Sequence, residues 1–468
     1  MKKWTHLVYI AATLTWTVSV PAFAADNQAV SYFQTQAAAQ KLPEAFMAVQ
    51  NKEYAKALEI YQRYADAGIP VAQYMLAYLY QNGFGVPKNN DLAAAWYSKA
   101  SDKGLPAAQF ASGMMHYDGM GVAKDLTGAV ALFNQAAEKN NAQAQYMLGF
   151  LYAHGYGVTQ DLTAAQNWYT KAATQGVAQA QYNLGLMYYA EAEKTKDYSK
   201  AFTWFNLASQ RGSAKAKFML GLMYSLGQGV GLDKAQALNW YKQAADQKLA
   251  VAQYNLGIAY YTGQGTTANL ASAFLPLMEA AQQGLPRAQY FMGYLTSNGI
   301  GGAKNPQKGL EWYMKAAEQS FAEAQFAVGY IFQNGLGVPK DNRQAFTWYY
   351  AAAKEGLPNA QYMVGLFYQQ GTGIPSNTQL AAYWYSKAAE QGMDNAQLLL
   401  GVMYTQGQGI PKDNKLAYTW LDLASTSSDN QVRDAALKMR DELAKAMSAD
   451  DINAAKQQSQ SYFNRYSH

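Results

Sequence analysis

Three kinds of residue in this chain could do chemistry: a few histidines, one Ser-Asp-Asn triplet and a series of Gly-x-Gly pairs. Beyond the first 24 residues the histidines are His116, His154 and His468, and none belongs to an HExxH pattern. The chain has no cysteine, which excludes thiol nucleophiles, disulfides and cysteine-rich metal sites. Ser428-Asp429-Asn430 matches one fragment of the penicillin-recognising hydrolase set, but neither Ser-x-x-Lys nor Lys-Thr-Gly accompanies it. The Gly-x-Gly pairs, such as Gly83 and Gly85, fall between two helical patterns rather than after a strand, so they do not form a nucleotide cradle. His116 stands where most copies of the surrounding pattern carry Tyr and reads as a core residue; His154 is a lone groove candidate. No catalytic residue, cofactor or metal is expected.

The elements behind these residues repeat with a 36-residue period. An Ala-Gln pair, once Ala-Lys, recurs at Gln73, Gln109, Gln145, Gln181, Lys217, Gln253, Gln289, Gln325, Gln361 and Gln397 without insertion or deletion. A period of that length marks stacked supersecondary units, each too small to bury its own apolar face. Four residues after the glutamine comes Ala77, then a glycine in every later unit, from Gly113 to Gly401. Glycine within a helix costs about 1 kcal/mol relative to alanine, so its recurrence predicts a contact with no room for a Cβ. The Gly-x-Gly then ends the first helix with a positive-φ cap. An Asp or Asn, from Asn89 to Asp413, predicts the N-cap of a second helix in all ten units. Ala93, Trp96, Tyr97 and Ala100 follow on helical spacing, with the tryptophans expected to be hidden between neighbouring helices, and Gly104 closes the unit.

The pattern Ala-Gln-Tyr-x-Leu-Gly-x-x-Tyr, Gly-x-Gly-Val, Asp-x-x-x-Ala-x-x-Trp-Tyr-x-Lys-Ala-Ala-x-x-Gly, met almost in full from Gln145 to Gly176, resembles the Sel1-like repeat family, relatives of the tetratricopeptide repeat. The resemblance spans roughly residues 37–428. It implies an all-α fold, an α/α superhelical solenoid whose first helices line the concave face. It also implies a non-enzymatic adaptor; exported bacterial members are implicated in envelope scaffolding and host interaction. Some exported relatives carry a disulfide in each repeat and were once called β-lactamases, and this cysteine-free chain departs from them.

Residues 1–24 read as a cleaved export signal: Lys2 and Lys3, an apolar stretch from Leu7 to Val20 too short to span a bilayer, then Ala22-Phe23-Ala24. The organisation expected is a signal at 1–24, a lead-in at 25–36, a repeat solenoid at 37–428 with a degenerate first unit at 37–71, and a helical cap at 429–468. The formal charge of +5 is too small to imply nucleic acid, and no later segment is apolar enough for membrane insertion. Two units depart from the pattern. The Gln181 unit replaces its glycines with Glu191 and Glu193, which predicts a longer first helix. The Gln253 unit has Pro276-Leu277 in place of Trp-Tyr, either as harmless drift or as a bend.

If first helices line a groove, the residues eight and nine places after each glutamine face it. Candidate partner-binding residues are Gln81, Asn82, Tyr117, Asp118, His154, Tyr189, Tyr261, Thr262, Asn298, Gln333, Asn334, Gln369, Gln370 and Gln406. Their flat apolar faces and neutral hydrogen bonds suit a peptide backbone or a sugar better than phosphate; solvated helix ends are the other reading. An aromatic stripe one place after the glutamine, from Tyr74 to Tyr362, reads as packing. The function expected is an exported, periplasmic or secreted scaffold that binds a protein or peptide, including a host protein. Cell-wall glycan binding is the alternative and a β-lactamase-like hydrolase a remote one.

Overall fold

The computed structural model describes residues 42–466. The expected export signal, the lead-in and His468 lie outside them. Among the described residues there are 24 helices, from Pro43–Gln50 to Ala449–Tyr466, and no strand. Each repeat is a helix pair, as in Pro70–Asn82 with Asn90–Asp102, and the fold is an all-α solenoid of such pairs. Packing divides the described chain into two compact units, residues 42–243 and residues 244–466.

The N-terminal unit opens with the degenerate repeat, a short helix Pro43–Gln50 and a full one, Tyr54–Asp66. Within each later repeat, one large side chain of the second helix enters the glycine gap of the first. At Gly149 a Cβ would lie 2.6 Å from the Tyr169 ring; across the nine repeats with this glycine the nearest approach is 2.4–2.8 Å. The residues that enter in this unit are Phe133, Tyr169, Phe205 and Tyr241, each but Phe133 directly after a tryptophan; Tyr97 holds the same place in the repeat that has Ala77 instead of the glycine, and all five are buried. The aromatic stripe packs on these rings, with Tyr146 and Tyr169 centroids 5.9 Å apart, as the packing reading expects.

The tryptophans divide. Trp312, Trp384 and Trp420 are buried, as expected, whereas Trp96, Trp168, Trp204, Trp240 and Trp348 are only partly covered, the buried ring beside each one filling the interior. A lysine three residues on covers the ring of several tryptophans: Lys99 over Trp96 at 3.7 Å, Lys171 over Trp168 at 4.0 Å, Lys315 over Trp312 at 4.4 Å.

The repeat glutamine joins one pair to the next. Its Nε2 donates to a carbonyl in the last turn of the preceding second helix, as Gln145 does to Ala137 O at 3.1 Å and Gln325 to Ala317 O at 3.2 Å. These side chains are buried, so the bond is shielded from water. Gln109 instead donates to Gln135, and Gln253 to Glu279. The second glycine adds a close contact in several turns: a Cβ on Gly157 would meet the Leu126 carbonyl of the previous repeat at 2.5 Å, and one on Gly409 the Thr378 carbonyl at 2.3 Å.

All ten expected Asp or Asn residues accept an amide two or three places on, and nine of them directly precede the second helix. The tenth differs. Without its glycines the first helix of the Gln181 repeat runs on to Thr195, as expected. The following helix then starts at Ser199 with Tyr198 as N-cap, and Asp197 accepts from the Ser199 amide outside it. Those bonds hold the Asp197 carboxyl below its usual range.

In the C-terminal unit the helix Leu270–Gln282 runs unbroken through Pro276, and Leu277 takes the place of the entering ring against Gly257. Ser428-Asp429-Asn430 starts a helix: Asp429 is the N-cap of Asn430–Ala444 and accepts from Gln431 N at 2.8 Å. Ser448 opens the last helix, its hydroxyl accepting from Asp451 N at 3.1 Å. That helix covers the final repeat: Tyr462 stacks on Trp420 at 5.1 Å, and Arg440 and Ser459 both bind Asp422.

Changing Tyr349 to Ala empties the glycine contact and is expected to cost about 3–5 kcal/mol, whereas Trp348→Ala should cost clearly less. Hydrogen exchange of the helices Ala322–Asn334 and Asn342–Lys354 in the two variants measures the difference.

Candidate functional site

Positions eight and nine stand at the C-terminal end of each first helix, where the glycine cap turns the chain away. They fare differently. Position eight is partly covered in most repeats, and in four of them it accepts from the entering ring of its own repeat. The Tyr97 hydroxyl donates to Gln81 at 2.8 Å, Tyr349 to Gln333 at 2.7 Å and Tyr385 to Gln369 at 2.6 Å. In the Lys217 repeat Ser225 accepts from Tyr241, whose phenol burial pushes up to about 12. Gln81, Gln333 and Gln369 thus already use an acceptor inside the repeat.

The position-eight tyrosines occur where the entering residue has no hydroxyl: Tyr117 with Phe133, Tyr189 with Phe205, Tyr261 with Leu277. No acceptor is needed there, and a ring takes the space. Tyr189 is buried and donates to Gln228 at 2.6 Å. Tyr261 sits edge-on against Phe291 of the next repeat at 5.1 Å. Tyr117 is partly buried beneath Lys124, whose ammonium lies 5.8 Å from its ring, and burial raises its phenol. This pairing between residues 16 apart is visible in the sequence but emerges only when the positions are compared across units.

Position nine is the open one. Asn82, Asp118, Thr262, Asn298, Asn334, Gln370 and Gln406 are exposed. Asn82, Asn298 and Asn334 turn their Nδ2 onto the carbonyl four residues back, at 2.8–2.9 Å, which leaves their Oδ1 as an acceptor. Thr262 bonds back in the same way. His154 shares its Nδ1 with the Phe150 carbonyl at 2.8 Å, its ring stacked on Tyr156 at 5.4 Å. Desolvation raises the Asp118 carboxyl, against the pull of Lys124.

Sequence reasoning missed position five, which shares a helix face with position nine. In the C-terminal unit it places Tyr294 and Tyr330 at 40% and 51% exposure, each directly before the exposed asparagine of its helix. Phe291 lies 6.0 Å from Tyr294, and Tyr290 packs on Phe321 at the start of the next first helix at 5.7 Å. Two successive first helices therefore present rings beside neutral amides. The signal was a Tyr-x-x-x-Asn spacing shared by Tyr78-Asn82, Tyr294-Asn298 and Tyr330-Asn334. Among the described residues no group of three or more His, Asp or Glu could hold a metal ion. None of their helices is long and apolar enough to cross a membrane.

Comparisons with known proteins agree with this geometry. The Sel1 repeat matches ten times, at 70–105, 106–141, 142–177, 178–213, 214–249, 250–275, 286–321, 322–357, 358–393 and 394–429. The sixth match stops just before Pro276. The chain is similar to the crystal structure of a protective antigen with an SLR fold from uropathogenic Escherichia coli, at 32% identity over 87% of this chain and 95% of that one, with a TM-score of 0.57. It is also similar to a Sel1 repeat protein from Oxalobacter formigenes, at 36% identity over 50% of this chain and 96% of that one, with a TM-score of 0.47. No curated protein matches.

Replacing Gln369 by Leu leaves the Tyr385 hydroxyl without its acceptor and should cost about 1–3 kcal/mol. Adding Tyr385→Phe should recover part of that loss, and urea unfolding of the two single variants and the double variant gives the coupling.

Proposed function

The chain belongs to the Sel1 repeat family, whose members are generally non-catalytic scaffolds for protein interaction, and from that premise we propose that it is an exported adaptor without catalytic activity. It binds a protein or peptide partner through the surface of its first helices, the concave one in this family's arrangement. The observation that carries this reading is the set of exposed rings at Tyr294 and Tyr330 beside Asn298 and Asn334. Aromatic anchors flanked by neutral hydrogen-bonding groups are the composition of binding hot spots. On the N-terminal unit, Asp118 and His154 stand at the same first-helix position as Asn298 and Asn334.

Export rests on the charged start, apolar stretch and small-residue site of residues 1–24. Intact mass of the protein recovered from the cell envelope or medium should correspond to a chain beginning at Ala25; a retained Met1 would reject cleavage.

Tyr294→Ala with Tyr330→Ala should weaken a captured envelope partner at least tenfold and leave the helical circular dichroism unchanged. Undiminished binding would remove the assignment of this face. Pelleting of the wild type, but not the double variant, with purified cell wall would assign the face to glycan instead.

A further inference from the structure

The ten copies of one unit serve as references for each other, and one junction in the N-terminal unit departs from all of them. Three places after the repeat glutamine the other nine repeats carry Leu, Met or Val; the Gln109 repeat carries Ser112. Seven places after it, seven repeats carry Tyr, two carry Thr296 and Phe332, and this one carries His116. The residue that meets them from the preceding second helix is Ala94. At two equivalent junctions a ring pair occupies this place: Phe202 against Tyr224 at 5.9 Å and Phe346 against Tyr368 at 5.3 Å.

Where Ala94, Ser112 and His116 meet, the space stays open as a surface cavity of about 300 Å³, whose wall also includes the exposed Asp91, Ala95 and Ser98. Its lining is not that of a simple packing defect. The His116 Nδ1 is buried with no hydrogen-bond partner, and Ser112 is only 5% exposed. The Ser98 hydroxyl and the Asp91 carboxylate complete the polar side, with Met115 on the apolar side and no Lys or Arg in the wall. Asp91 is itself singular: the equivalent positions of the other nine repeats hold no acid. Ser112 and His116 lie about half a turn around their helix from positions five and nine, so this site is separate from the first-helix face and does not depend on its reading.

We propose that this cavity binds an alkylammonium group. Short methylene chains fit the apolar wall, and the ammonium meets the Asp91 carboxylate, with the serine hydroxyls and the unpartnered His116 Nδ1 as further polar contacts. The volume stands at the lower end of the range for small-molecule pockets and suits a group the size of a lysine side chain. That chemistry has two sources, a lysine of a bound protein or a free small amine.

Ligand-observed NMR titration of the full chain tests this with n-butylammonium chloride, N-acetyl-lysine methylamide and, as the uncharged control, n-butanol. Saturable binding of n-butylammonium at least tenfold tighter than n-butanol is expected. Ser112→Leu with His116→Tyr restores the residues of the other repeats, and should abolish binding while the melting temperature holds or rises. Asp91→Asn, which leaves the cavity open, should weaken n-butylammonium at least tenfold. Tighter binding of the lysine derivative assigns the site to a protein side chain, and tighter binding of n-butylammonium to a free amine; both support it. Absence of saturable binding, equal affinity for n-butanol, or unchanged binding in either variant overturns it.

Discussion

A ring seated where a Cβ cannot be is the contact on which each repeat depends. The glycine of the first helix and the aromatic or leucine of the second bring the two backbones closer than any other residue pair at those places would allow. That approach sets the tilt of the pair, which in turn lets the repeat glutamine reach the last turn of the preceding helix and lets the second turn glycine lie against that helix's start. Small positions on the second helix, alanines buried in every repeat, then accept the neighbours. With few ion pairs, most of them exposed, cohesion comes from this packing and from buried amide bonds.

Much of this was legible in the sequence because a repeat averages out accident. The period, the glycine gap, the positive-φ caps and the N-caps each recur often enough to reveal their physical cause, and the longer helix at Glu191 followed from the loss of its glycines. Trp96 and Tyr97 were harder to tell apart. Both are large and adjacent, and helical spacing places either one near the interior, so only the structure shows that the tyrosine is buried and the tryptophan partly covered. Gln81, Gln333 and Gln369 looked like surface amides because their partner, a hydroxyl 16 residues on, cannot be seen from composition. Asp197 missed its cap because the turn before it had changed length.

The surfaces left over differ in character. Position nine, with Tyr294 and Tyr330 behind it, is a neutral rim of amides and rings. The junction at Ala94, Ser112 and His116 is a polar hollow where the nine other units carry Leu, Met or Val in place of the serine. A solenoid tolerates both, since each repeat relies chiefly on its neighbours and a local change need not spread. Function in such a molecule therefore shows as departure from its own pattern.

The sign of one substitution tests the packing account most directly. Gly149→Ala, measured by the free energy of urea unfolding, would raise stability by about 1 kcal/mol if that glycine were an ordinary interior helical residue. With the Tyr169 ring 2.6 Å from the added methyl group, the account predicts a loss of stability instead. A gain would show that the ring does not occupy the gap and would contradict the architecture described.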